Sequence, residues 1–258
     1  NINTDGEAII AWAWKAGGAP SGVLSLSGGV GAGTITNTGN ATAISQSVNQ
    51  NSGFSITKFT GHDDGVVIPH NLGATPAFIV IKNREATNGW MAWHQNLSAT
   101  SNYSLRFDNN SAESNDTQFF SSAPTSTTIT GGNGAGSGGT SGEKYVMYAW
   151  KAVSGVSAFG TYDGTGSLQT ITTGFAPSFV MIKSIDSTDS WWMFDNARVA
   201  SGSRNNTAQL RADTSHDEAT NSSSTLGVTL KTDNGFTVHS TGGGVNGSGN
   251  TYIYMAFA

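Results

Sequence analysis

Few residue groups in this chain have the types and spacing to do chemistry, and each has a competing structural reading. His62-Asp63-Asp64 puts one imidazole and two carboxylates in a row. They could ligate a metal ion, but calcium would want more carboxylates and zinc another imidazole. The flanking Gly61 and Gly65 favour a polar turn. Asp213-Thr214-Ser215-His216-Asp217-Glu218 is the densest acidic cluster, readable as a calcium loop and more readily as a solvated loop. His94 and Asp195 could act as an acid–base pair only if brought together. They hold matching places in two similar stretches, which predicts that they lie apart, each a polar residue closing a Trp-rich strand. Gly134 to Gly139 has the spacing of a dinucleotide loop, but no helical pattern follows it, so it reads as a flexible or tightly packed loop. No Gly-x-Ser-x-Gly elbow is present, and no carboxylate pair stands out at matching strand ends as glycoside hydrolysis needs. The expectation is a protein that is not an enzyme, with no catalytic, cofactor-binding or metal-binding residues.

The elements that would position any site repeat along the chain. Ala8-Ile9-Ile10-Ala11-Trp12-Ala13-Trp14-Lys15-Ala16 returns as Lys144 to Ala152 and again as Thr251 to Ala258. Ahead of the last two copies, two longer stretches match at a constant spacing of 101 residues, from Pro76 to Pro177 and from Trp90 to Trp191. The opening strands also match, Gly53-Phe54-Ser55-Ile56 with Gly155-Val156-Ser157-Ala158. Such a repeat sets the architecture before any motif is weighed. The predicted organisation is a closing strand of an upstream unit over residues 1–16, a Gly/Ser/Thr-rich connector over 17–52, a first unit over 53–152 and a second over 153–258. Within the connector, Val23 to Leu26 and Ala43 to Val48 could each form an edge strand.

Apolar blocks are short and bounded by Gly, Asn, Asp or Pro, which reads as strands and turns. Phe78 to Ile81 is continuously apolar, as a strand covered on both faces would be. Helical periodicity is confined to one candidate turn, Asp195 to Ala200. The predicted fold is all-β: two tandem, jelly-roll-like β-sandwich units plus the preceding closing strand. Lys82 and Lys183 end their strands and are expected to lead the chain into solvent. Trp90, Trp93, Trp191 and Trp192 are large enough to hold sheet against sheet.

Charged residues make up 11% of the 258 residues, less than half of the roughly 25% usual in soluble domains. A surface of hydroxyls and amides has little charge for salt to screen, which suits an extracellular setting. The net charge of −5 argues against nucleic acid as a partner. There is no cysteine, and no apolar run has the length of a membrane span.

The closing pattern Ser141-Gly142…Tyr145-Val146…Ala149-Trp150, the run Gly174 to Lys183, and the stretch from Ile35-Thr36-Asn37-Thr38 through Ser47 to Ile56 form an ordered set. Together they resemble a repeat domain of structural proteins of tailed bacteriophages, notably marine and cyanobacterial phages, seen in tail-fibre-like and other virion-surface proteins. The resemblance implies a non-enzymatic component of a virion surface, in a fibre, an appendage or a capsid decoration. The expected partners are other virion structural proteins and further copies of the chain, a trimer being plausible because oligomerisation covers strand edges. A host-surface glycan is a further candidate partner; a bacterial lectin or adhesin is the alternative reading. If a ligand binds, the loops where the units differ, 107–118 and 212–225, are the first candidates. Their polar residues are Asp108, Asn109, Asn110, Asp213, His216, Asp217 and Glu218.

Overall fold

The structure, a computed structural model, describes residues 9–198, 205–206, 208–220, 227–239 and 243–258. Its first half contains β1 (Val30–Thr34), β2 (Thr42–Asn49), β3 (Phe54–Thr60), β4 (Val66–Pro69), β5 (Phe78–Asn83), β6 (Trp90–His94), β7 (Tyr103–Arg106), β8 (Ser114–Asn115), β9 (Thr128–Gly131) and β10 (Lys144–Trp150). Eight of these form one large antiparallel sheet in the order β1-β2-β3-β10-β5-β6-β7-β8, while β4 and β9 pair separately. The closing strand β10 therefore lies mid-sheet, hydrogen-bonded to the opening strand β3 on one side and to β5 on the other.

The second half contains β11 (Ser157–Asp163), β12 (Gln169–Ile171), β13 (Phe179–Ser184), β14 (Trp192–Asp195), β15 (Asn205–Asn206), β16 (Ala208–Arg211), β17 (Ala219–Thr220), β18 (Val228–Leu230), β19 (Phe236–Val238), the short helix α1 (Gly243–Asn246) and β20 (Thr251–Phe257). Its large sheet runs β11-β20-β13-β14-β16-β17, the same succession of opening, closing and post-proline strands as β3-β10-β5-β6-β7-β8. A smaller sheet, β12-β19-β18-β15, completes this half. The fold is all-β, each large sheet facing a smaller one.

The two large sheets also pack on each other, so the halves stack instead of following one another as separate sandwiches. One apolar core joins Phe78, Met91 and Trp150 of the first half to Phe159, Phe179, Trp191 and Met255 of the second. A second core fills the outer sandwich of the second half, where Val180, Ile182 and Tyr252 meet Leu230 and Phe236. The order is small sheet, large sheet, large sheet, small sheet. This explains the continuous apolar runs: all six residues of β13 are buried, as are Phe78 to Ile81 of β5. A strand with another layer on each face has no solvent side on which to place polar residues.

Several expectations are corrected. The opening strands match one residue later than their sequences suggest: Phe54 lies opposite Trp150, but it is Ser157 that lies opposite Phe257. Pairing, not the shared glycine, decides which face a side chain occupies. Residues 9–16 carry the closing motif and belong to neither large sheet, whose closing positions are β10 and β20. Ala43 to Val48 lies within β2, whereas Val23 to Leu26 forms only an isolated bridge through Val23. Asp195 ends β14 and residues 196–198 are bends, not a helical turn; Val199 and Ala200 lie outside the described residues. Lys183 does not reach solvent. It is fully buried, and its ammonium donates to the carbonyls of Ser184 at 2.5 Å and Ser187 at 3.2 Å. Lys82 curls back in the same way onto the carbonyls of Asn88 and Ala86. Each lysine thus ties down the hairpin loop that follows its strand.

Candidate functional site

The predicted loop residues divide into structural caps and exposed positions. The carboxylate of Asp108 accepts the backbone N–H of Trp90 at 2.8 Å, and that of Asp213 accepts the backbone N–H of Trp191 at 2.9 Å. These aspartates follow β7 and β16 at matching places, and each fixes the start of its Trp-rich strand. Glu218 pairs with Arg198 at 2.9 Å, and Arg198 also pairs with Asp195 at 2.6 Å. Asn109 caps its own turn by accepting the N–H of Ser111. Asn110, His216 and Asp217 are exposed. The start of both loops is brought together around Trp191, whose indole N–H reaches the carbonyl of Arg106 at 2.9 Å. Residues 221–226 of the second loop lie outside the described residues.

The capping reading has a direct consequence. Asp213→Ala leaves a partly buried N–H without its acceptor and lowers the unfolding free energy by about 2 kcal/mol in urea titration; Asp108→Ala, at a more exposed cap, lowers it by about 1 kcal/mol. Unchanged stability in both variants would remove the structural role and return these residues to the ligand candidates.

The other chemistry-bearing residues are also engaged in the scaffold. Asp63 exchanges hydrogen bonds with Ser141, its carboxylate accepting the Ser141 N–H at 2.8 Å, and these bonds hold its pKa below the usual carboxylate value. Nδ1 of His62 accepts the N–H of Asp64, which closes the turn before Gly65. Burial lowers the pKa of Lys183 to about 8, partly offset by Asp189 and Asp213. His94 and Asp195 sit in different sheets, as expected. Both do one local job: Nδ1 of His94 accepts the N–H of Asn96, and Oδ1 of Asp195 accepts those of Ala197 and Arg198. The glycine tract is a packed turn. A methyl group on Gly139 would lie 2.0 Å from the carbonyl carbon of Asn133. Among the described residues, no group of three His, Asp or Glu side chains is placed to hold a metal.

Sequence reasoning missed an aromatic cleft of about 220 Å³ between the two large sheets. Phe54, Trp90, Tyr148 and Trp150 form one wall; Phe179, Met181, Met255 and Phe257 form the other. Trp90 stacks on Tyr148, and Tyr148 on Phe54, each with 6.4 Å between ring centroids. Trp14 stands at the mouth, 36% exposed, with its ring 5.8 Å from Trp150 and 5.4 Å from Phe257. The surface that the lining presents is apolar, so the cleft suits apolar groups. The clue available in the sequence was the recurrence of an aromatic at one place in each closing motif: Trp14, Trp150 and Phe257.

The family assignment spans all of these parts, covering residues 1–258 as a single domain of unknown function, DUF7483. The chain belongs to this family. Neither a curated protein nor a solved structure matches it. DUF7483 thus takes in the aromatic lead-in segment, the connector and both large sheets together, and its description carries no activity.

Proposed function

We propose that this DUF7483 chain is a non-enzymatic structural protein of a phage virion exterior, part of a fibre, an appendage or a capsid decoration, built of two copies of one β-unit. The observation that carries the reading is that its chemistry-bearing side chains are committed to the scaffold. Asp63, Asp108, Asp195, Asp213 and Lys183 each hold a turn, a strand start or a loop. The ordered set of closing and post-proline motifs supports the virion assignment, and the four-layer stack suits a rigid mechanical part. Its partners in this reading are other virion proteins and further copies of the chain. Exposed loop residues such as Asn110, His216 and Asp217 are available for host-surface adhesion.

The test is antibody labelling of purified particles from the source population, imaged by electron microscopy. Labelling at a defined exterior position, in a constant number per particle, is the expected result. Antigen found only in bacterial envelopes, together with glycan-array binding by the isolated chain, would establish the adhesin reading instead.

A further inference from the structure

We infer that the aromatic cleft receives a third β-unit of the same kind, contributed by the same polypeptide, with residues 9–16 in its closing strand. The three units would be arranged head to tail around a pseudo-threefold axis. This rests on packing geometry and holds whether or not the protein belongs to a virion.

The two units present are related head to tail, not face to matching face. The end of β6 in the first unit meets the opening strand of the second: Nε2 of Gln95 donates to the carbonyl of Phe159 at 3.0 Å, and the ring of His94 lies 6.4 Å from that of Phe159. The end of β7 in the first unit covers the tryptophan of the second, Phe107 lying 5.0 Å from Trp191 and the Arg106 carbonyl accepting its indole N–H. The backbone N–H of Glu113 donates across the same boundary to the carbonyl of Ile185.

The same relation, taken one step further, leads from the second unit to residues 9–16. Asp195 and Asn196, which match His94 and Gln95, line a groove whose opposite side is Ile10, Ala11 and Trp12. The ring of Trp12 lies 5.3 Å from Phe179, the residue matching Phe78. Lead-in residues therefore stand beside the second unit where a closing strand of a following unit belongs. Trp14, Trp150 and Phe257, the same position in three copies of one motif, converge on a single cluster. Convergence of three equivalent residues is what a threefold axis produces.

One place in this ring is uncovered. Trp191 is completely buried under Phe107 of the preceding unit, whereas its counterpart Trp90 is only half-buried and faces the cleft. A third unit would set its own counterpart of Phe107 over Trp90. Its opening and post-proline strands would also flank residues 9–16, which lie in no strand among the described residues. Its occupancy would change the cleft from an open apolar groove to a closed core.

The experiment compares residues 1–258 with the natural full-length polypeptide. Amide hydrogen exchange, hydroxyl-radical oxidation of tryptophan and the stability of Trp90→Ala are measured in both. In the full-length protein, amides of 9–16 should exchange at least about 100-fold more slowly. Trp90 should be protected from oxidation, and Trp90→Ala should become as destabilising as Trp191→Ala. Equal exchange and equal oxidation in the two proteins would overturn the inference. So would a natural polypeptide with no β-unit ahead of residue 8, or concentration-dependent protection of Trp90 in 1–258 alone, which would make a second copy the occupant.

Discussion

Trp191→Ala should lower the unfolding free energy by about 3–5 kcal/mol, while Trp90→Ala in the same chain should cost less than about 2 kcal/mol. The two tryptophans hold matching places, Trp90 starting β6 and Trp191 just ahead of β14, and on sequence alone they should behave alike. Their surroundings differ. Trp191 is wholly buried among Phe78, Phe107 and the core shared by both large sheets. Removing it leaves a cavity at the contact between the units and strands the Arg106 carbonyl without its donor. Trp90 already faces open space, so its loss costs stacking on Tyr148 and little cavity. Urea denaturation of both variants checks this. Equal losses would mean that the sheets are not held together at Trp191.

Acidification should destabilise the protein well before its carboxylates are neutralised. His70 and His94 are fully buried, and burial lowers their pKa from 6.5 to about 4 and about 3, respectively. The Thr125 carbonyl offsets this slightly for His70, as does the nearby Tyr254 backbone for His94, though Nε2 of His94 has no partner in hydrogen-bond geometry. Both imidazoles are therefore neutral when folded and titrate at their ordinary value when unfolded. Above about pH 6.5 neither state gains a proton and this source of instability is absent. Below it the unfolded chain takes up protons that the folded chain cannot, so stability falls until the folded pKa values are reached. Each pH unit costs up to about 1.4 kcal/mol per histidine, or at most about 5 kcal/mol for both between pH 6.5 and 4.5. In the folded state each Nδ1 accepts a backbone N–H two residues on, from Leu72 and Asn96. Asparagine can supply that acceptor without titrating. The double variant His70→Asn/His94→Asn should thus lose most of the pH dependence in this window. A slope equal to that of the parent chain would exclude these histidines as its cause.

Much of the strand inventory was legible. Short apolar blocks between turn residues gave β3, β5, β6, β10, β13 and β20. The strand β1 was not legible, because Val30-Gly31-Ala32-Gly33-Thr34 is held by pairing with β2 instead of by side-chain pattern. The helix α1 was missed for a related reason: Gly243 and Gly244 oppose helix formation on propensity alone. The stacking of the two large sheets was encoded in the doubly covered strands β5 and β13. A continuous apolar run says that something covers each face, however, and not that the second cover is the other unit. The candidate residues fared similarly. Differences between the two stretches drew attention to the loops holding Asp108 and Asp213, but only the backbone around Trp90 and Trp191 shows what they hold. The burial of Lys183 and His94 depends on layers contributed from far along the chain, which no local pattern reveals.

The central place of the closing strand has a consequence during synthesis. In each large sheet the last strand made is hydrogen-bonded on both sides, so β3 and β5 remain unjoined until Lys144–Trp150 has emerged from the ribosome. Until then the nascent unit presents an empty slot edged by two apolar strands, and such unpaired edges invite aggregation. The chain makes three segments of related sequence, and a segment from a neighbouring polysome product could enter that slot. The short connection from β9 places β10 of the same chain beside the slot as it emerges, ahead of the later β20, and this nearness opposes strand exchange between molecules.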